Sequence, residues 1–261
     1  TSIFAGKKTE VILVDNTMAN LASNNARQIY SQIAGLNIYQ NDDAGLQLNI
    51  GGRGLDPNRT SNFNTRQNNY DISADVLGYP ESYYSPPSES LSEIQIVRGA
   101  ASLQYGTQFG GLVNFITKSP NKVKPLEVIF RNSFGSNGLY TNFTSFSGTR
   151  KKLSYYSYVN YKTGDGFRPN SEFESKNIFS HIKYSFSSKT NFILELTNLN
   201  YLAQQAGGLN DSMFNNDPYQ SVRSRNWFKV NWLLYNAKLT HQFSDQTLFS
   251  FNFFGLNASR D

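Results

Sequence analysis

Residues 121–261 hold seven runs in which apolar and polar side chains alternate, each about ten residues long or more. In KLSYYSYVNYK (152–162), Leu153, Tyr155, Val159 and Tyr161 fall on one face, and Lys152, Ser154, Asn160 and Lys162 on the other. NFILELTNL (191–199) sets Phe192, Leu194 and Leu196 against Glu195 and Thr197, and LFSFNFFG (248–255) sets Phe249, Phe251 and Phe253 against Ser250 and Asn252. A period of two marks β-strands whose faces meet different surroundings. Runs near ~10 residues suit a tilted strand that crosses an outer membrane.

The spacing predicts strands at 126–134, 139–147, 152–163, 176–186, 190–202, 227–242 and 247–257. The linkers 148–151, 187–189 and 244–246 are tight, whereas 164–175 and 203–226 are long. If the first strand starts on the periplasmic side, these tight turns fall on one side and both long loops on the other, with only 135–138 short on the outer side, as outer-membrane barrels are built. A soluble antiparallel sandwich also alternates, but its strands run nearer ~5–6 residues and its loops do not sort by side.

Composition supports β structure: aromatic residues make up 15% of the chain, with 16 Tyr and 20 Phe. No run of about 18 apolar residues is present, so a membrane role would have to use a barrel. The chain has no cysteine, which excludes disulfides and thiolate metal sites. A net charge of +5 from scattered Lys and Arg does not call for a nucleic-acid partner. No charged n-region followed by an apolar h-region opens the chain, so any export signal lies outside this sequence or never existed.

Residues 1–120 have a different texture: a strand at EVILV (10–14), a helix at NARQIYSQIAGL (25–36), then short strands between Gly- and Asn-rich loops. This half reads as a small α+β domain. Two of its segments, LNIGGRGL (48–55) and SEIQIVRGAASLQYGTQFGGLVNFITK (92–118), resemble the plug signatures of TonB-dependent outer-membrane receptors. The second is long enough to be specific. The resemblance covers essentially the whole chain and implies an α+β plug domain over 1–120, followed by the first antiparallel transmembrane strands of a β-barrel over 121–261. The family's barrels have 22 strands, so the chain reads as an internal piece of a longer receptor whose isolated strand edges would aggregate.

Arg53 and Arg98 each stand at a strand end before glycine, where a guanidinium can reach sideways for bidentate pairing. The resemblance implies that both are latch residues, held by wall glutamates on later strands that these residues do not include. It also implies active uptake of a bulky ferric chelate, energised by TonB of the inner-membrane complex, through a monomeric barrel in the outer membrane of a Gram-negative bacterium.

Segments 53–87 and 201–228 look most like the ferric dicitrate type. Citrate carboxylates suit arginine forks, making Arg59, Arg66, Arg223 and Arg225 candidates, with Asn62, Asn64, Gln67, Gln204 and Gln205 as amide donors and Tyr70 and Trp227 as flat faces. A glycan or cobalamin importer of the same architecture stays open, as does a soluble structural or adhesive β-protein. An enzyme is disfavoured. His181 and His241 lie on different strands, and neither G-x-S-x-G nor H-E-x-x-H occurs. No resident metal or cofactor is expected, and iron would enter already chelated.

Overall fold

The computed structural model describes residues 9–41, 45–74, 81–98, 105 and 108–261. Residues 99–104, inside the long signature, and 75–80, inside the segment expected to hold outward apices, lie outside this set.

The N-terminal unit contains β1 (Thr9–Leu13), α1 (Ala26–Ile29), β2 (Leu36–Ile38), β3 (Ile50–Gly52), β4 (Phe63–Gln67), β5 (Tyr70–Asp71), β6 (Leu91–Val97) and β7 (Gly111–Thr117). Five of its strands form a sheet in the order β1-β6-β7-β4-β5, with β4 and β7 parallel, and β2 pairs with β3 separately. The helix expected over 25–36 is a single turn. Asn25 caps it by accepting the Gln28 amide, and a tight turn from Tyr30 to Ile33 follows. Ile29 and Ile33 are both buried, so one helical turn plus a tight turn meets the apolar spacing that suggested a longer helix. Gly35, at φ +71°, then leads into β2.

All seven strands expected after residue 121 are present: β8 (Glu127–Phe134), β9 (Tyr140–Arg150), β10 (Leu153–Gly164), β11 (Phe173–Ser185), β12 (Thr190–Gln204), β13 (Trp227–Ser244) and β14 (Thr247–Arg260). They form one antiparallel meander in sequence order, with β8 and β14 at its two edges. The short turns 151–152, 186–189 and 245–246 lie on one side, and 135–139, 165–172 and 205–226 on the other. β11 starts earlier than expected because Phe173 pairs with Gly164 and extends the ladder. The longest loop carries a short helix, α2 (Asp211–Asn216), which sequence periodicity did not suggest.

The outer face of this wall exposes apolar side chains, while its inner face buries a mixture of polar and apolar ones. Val159, Ile178, Ile182, Leu196, Leu233 and Phe251 are 40–55% exposed on the outer face. The inner face buries Glu195, Thr197, Asn160, Asn177 and Asn236 beside Tyr158, Trp232 and Leu234. On β10 the outer apolar set runs from Leu153 to Tyr161, roughly 27 Å along the strand, comparable with the ~25 Å apolar band of outer-membrane barrels. In register with Tyr161 at its upper end, Lys176, Asn200 and Asn231 turn the same face polar. No helix among the described residues is long and apolar enough to cross a membrane.

The N-terminal unit sits against the wall's inner face. One apolar cluster joins Ile50, Phe63, Tyr83, Tyr84 and Ile94 of that unit to Leu199, Tyr201, Val230, Trp232 and Leu234 of the wall. The Tyr83 ring lies 6.0 Å from that of Trp232, and Tyr70 lies 6.2 Å from Phe254.

Candidate functional site

A cavity of about 490 Å³ opens where the N-terminal unit meets the long-loop end of the wall. Gln40, Leu46 and Gln47 line it from the N-terminal unit; Tyr201, Gln204, Gln205, Arg223, Asn226 and Phe228 line it from β12, β13 and the loop between them. Period-two alternation turns Tyr201 and Phe228 inward, and the Gln47 amide donates to the Tyr201 hydroxyl at 2.6 Å. Gln204 donates to the Ser224 carbonyl at 2.7 Å, and Asn226 to the Gln205 side chain at 3.3 Å, so the loop's two stems are tied together. Arg168 also lines the cavity. Its guanidinium donates to the backbone carbonyls of Gln220 (2.6 Å) and Gly207 (2.8 Å), which fastens loop 205–226 to loop 165–172. Arg223 adds a second guanidinium to the lining. A mostly amide and aromatic cavity with a cationic side chain suits an anionic or hydroxyl-rich ligand.

The candidates named from sequence divide sharply. Gln204, Gln205 and Arg223 meet in the cavity. Asn64, Arg66, Gln67 and Tyr70 are buried beneath it rather than set at an outward apex. Arg66 donates to the Asn64 side chain at 2.8 Å and the Asn69 carbonyl at 2.8 Å, and lies over the Tyr105 ring at 4.0 Å. The Gln67 amide donates to the Tyr70 hydroxyl at 2.6 Å. Asn62 donates to the Asp56 carbonyl at 3.0 Å. Arg59 lies behind the cavity, 5.6 Å from the Phe228 ring. Arg225 is exposed away from the lining, and Trp227 faces outward at 49% exposure while its neighbour Phe228 turns in.

Gln40, Gln47, Arg168, Tyr201, Asn226 and Phe228 were not singled out by sequence reasoning. The alternation of β12 and β13 could have found Tyr201 and Phe228. Arg53 is exposed at φ +60°, directly after β3. Arg98 follows β6 and bonds Glu10 at 3.1 Å and the Ala34 carbonyl at 2.9 Å.

Residues 8–112 match the family model for the TonB-dependent Receptor Plug Domain. The N-terminal unit has the fold of a TonB-dependent receptor plug. Solved receptors share the arrangement of this plug and wall. The ferric citrate transporter FecA, in its unliganded form, aligns with a TM-score of 0.81 at 22% identity, over 97% of this chain and 40% of that one. The siderophore receptor PirA from Pseudomonas aeruginosa aligns at 0.67 with 17% identity, over 98% of this chain and 42% of that one. The alcaligin receptor FauA from Bordetella pertussis also aligns at 0.67, with 14% identity, over 99% and 40%. The chain therefore spans about two fifths of the length of these receptors. No curated protein sequence matches it.

Charged contacts tie the plug to both edges of the wall. At the β8 edge the buried plug residue Glu89 meets Arg131 at 3.4 Å. At the β14 edge the plug residue Glu81 bonds Arg59 at 3.0 Å and the Tyr83 hydroxyl, while Arg260 of the wall reaches the same Tyr83 hydroxyl and lies 3.8 Å from Glu81. Burial alone would raise the Glu81 carboxyl. Hydrogen bonds from Tyr83 and Arg59 and the charges of Arg59 and Arg260 outweigh it and hold the group below its usual 4.5. A depressed carboxylate stabilises the folded state above its unfolded value and loses that contribution as pH falls through the folded value. Glu81→Gln is therefore expected to destabilise plug seating at pH 7, with the gap from the parent closing below pH ~4; urea titration of the full-length receptor across that range measures it.

Proposed function

We propose that this chain is the plug and the opening barrel strands of a receptor that imports a ferric chelate of the hydroxycarboxylate type, ferric dicitrate being the first candidate, across the outer membrane of a Gram-negative bacterium. The observation that carries the reading is the cavity between plug and long loops, where Arg223 converges with the amides of Gln40, Gln47, Gln204, Gln205 and Asn226. Its volume lies in the range of small-molecule sites, ~300–1,000 Å³. Carboxylates would pair with the guanidinium, hydroxyl groups with the amides, and Tyr201 and Phe228 would flank the ligand. Iron is cargo here, held by its chelator.

In this reading the plug ends near residue 120, between the end of β7 at Thr117 and the start of β8 at Glu127. The open edges of β8 and β14 are completed by further strands, the outer apolar face meets lipid, and TonB supplies energy by acting on the plug. Arg53 and Arg98 are latch candidates toward that missing wall. The chain carries out transport rather than catalysis.

The test is ferric dicitrate binding by the full-length receptor in detergent, with cobalamin as control. Arg223→Ala is expected to weaken binding about ten-fold, or about 1.4 kcal/mol, while Arg225→Ala leaves it near the parental value. A folded receptor that binds no ferric dicitrate would remove the citrate assignment.

A further inference from the structure

The β4–β5 hairpin of the plug turns through Asn68 and Asn69, both left-handed at φ +47° and +74°. Asparagine tolerates this conformation better than most residues, and tight two-residue hairpins demand it. The Asn68 side chain then bridges two bodies. Its oxygen accepts the Thr117 amide at 3.1 Å inside the plug, and its Nδ2 donates to Thr117 Oγ1 at 3.0 Å and to Glu195 Oε1 of the wall at 2.8 Å.

Glu195 is 2% exposed. Its Oε1 also meets His181 Nδ1 at 2.7 Å, and its Oε2 accepts from Asn236 Nδ2 at 3.0 Å. One inward position further along β12, Thr197 Oγ1 takes a 3.3 Å bond from Gln67 of the same hairpin. A carboxylate is costly to bury unless donors surround it. Of the hydrogen-bond partners described around Glu195, His181 and Asn236 stand on the wall and Asn68 on the plug, so the plug's share is supplied only when the hairpin is seated.

We propose that Glu195 is a plug-positioning residue: a buried wall carboxylate that anchors the β4–β5 hairpin through Asn68 and releases it when the hairpin moves during transport. The anchor is separate from Arg53 and Arg98, and its polarity is specific, with the acceptor on the wall and the donor on the plug. Only the release step rests on the transport reading. The seating itself rests on the contacts above.

The experiment is hydrogen–deuterium exchange of the full-length receptor without ligand, comparing amides of 63–71 with those of β11. Asn68→Asp places a second carboxylate against Glu195, and hairpin exchange is expected to rise about ten-fold, with β11 unchanged. Asn68→Asp combined with Glu195→Gln exchanges donor and acceptor and should bring the rate back to within about three-fold of the parent. Simple loss of packing would not be rescued in this way. Should Asn68→Asp fail to assemble, Asn68→Gly keeps the left-handed turn, removes the donor, and is expected to show a similar rise. Parental exchange in the single variants, or a double variant as fast as Asn68→Asp, overturns the proposal. Since no ligand is present, a wrong citrate assignment leaves this result untouched.

Discussion

Replacing Trp232 with alanine is expected to remove about 3–5 kcal/mol from the seating of the plug. Trp232 is 1% exposed on the inner face of β13, opposite Leu199 and Ala258 on its neighbouring strands, with Tyr83 of the plug against its ring. Among the described residues its indole Nε1 has no hydrogen-bond partner, so truncation removes apolar packing without stranding a polar group elsewhere. The resulting hole would lie between two separately hydrogen-bonded sheets. Plug amides should therefore lose protection in urea while the wall ladder stays intact. Leu233→Ala is the control: one residue along, its side chain is 40% exposed on the outer face, and plug protection should not change. Equal effects from the two substitutions would mean that the wall's inner and outer faces are misassigned.

Gly111→Ala is expected to cost the plug at least ~3 kcal/mol. Gly111 opens β7 at φ +115°, and a Cβ there would come 2.4 Å from the Val97 carbonyl oxygen. That oxygen is backbone in the adjoining strand β6, so it cannot swing aside without breaking the β6–β7 ladder. Gly54 separates the strain of a positive φ from this collision. It sits at φ +76°, and a methyl group added there would meet no atom of the described residues within 4 Å beyond its own chain neighbours, so Gly54→Ala should cost only ~1–2 kcal/mol. Thermal unfolding of the plug in both variants tests the comparison. A Gly111 variant no less stable than the Gly54 variant would contradict the steric account.

The wall was legible in the sequence because a strand with an exposed apolar face on one side and a packed plug on the other must alternate at every step. Phe192, Leu194 and Leu196 against Glu195 and Thr197 is that constraint written in residues. Turn lengths also sorted by side, with 135–139 the one short connection on the long-loop side. α1 was overestimated because Ile29 and Ile33 satisfy helical spacing through one turn and a tight bend.

The candidate site was only partly legible. Gln204, Gln205 and Arg223 share one loop and its stems, so a single segment could reveal them. Gln40 and Gln47 approach from the plug, and only folding brings them alongside. Asn64, Arg66 and Gln67 looked like surface residues because they are polar. The inner wall is itself polar at that level, however, and the three are buried. Trp227 and Phe228 differ by one residue and so face opposite ways, a distinction that composition cannot make.

The central claim is that this plug and wall belong to an energised importer of a ferric hydroxycarboxylate. Its most direct test is uptake of radioactive iron, supplied as ferric dicitrate, by cells carrying the full-length receptor, with and without a protonophore. The account predicts saturable uptake that the protonophore abolishes and that Arg223→Ala reduces. Uptake no greater than in cells lacking the receptor, or unchanged when the proton gradient is collapsed, would contradict it.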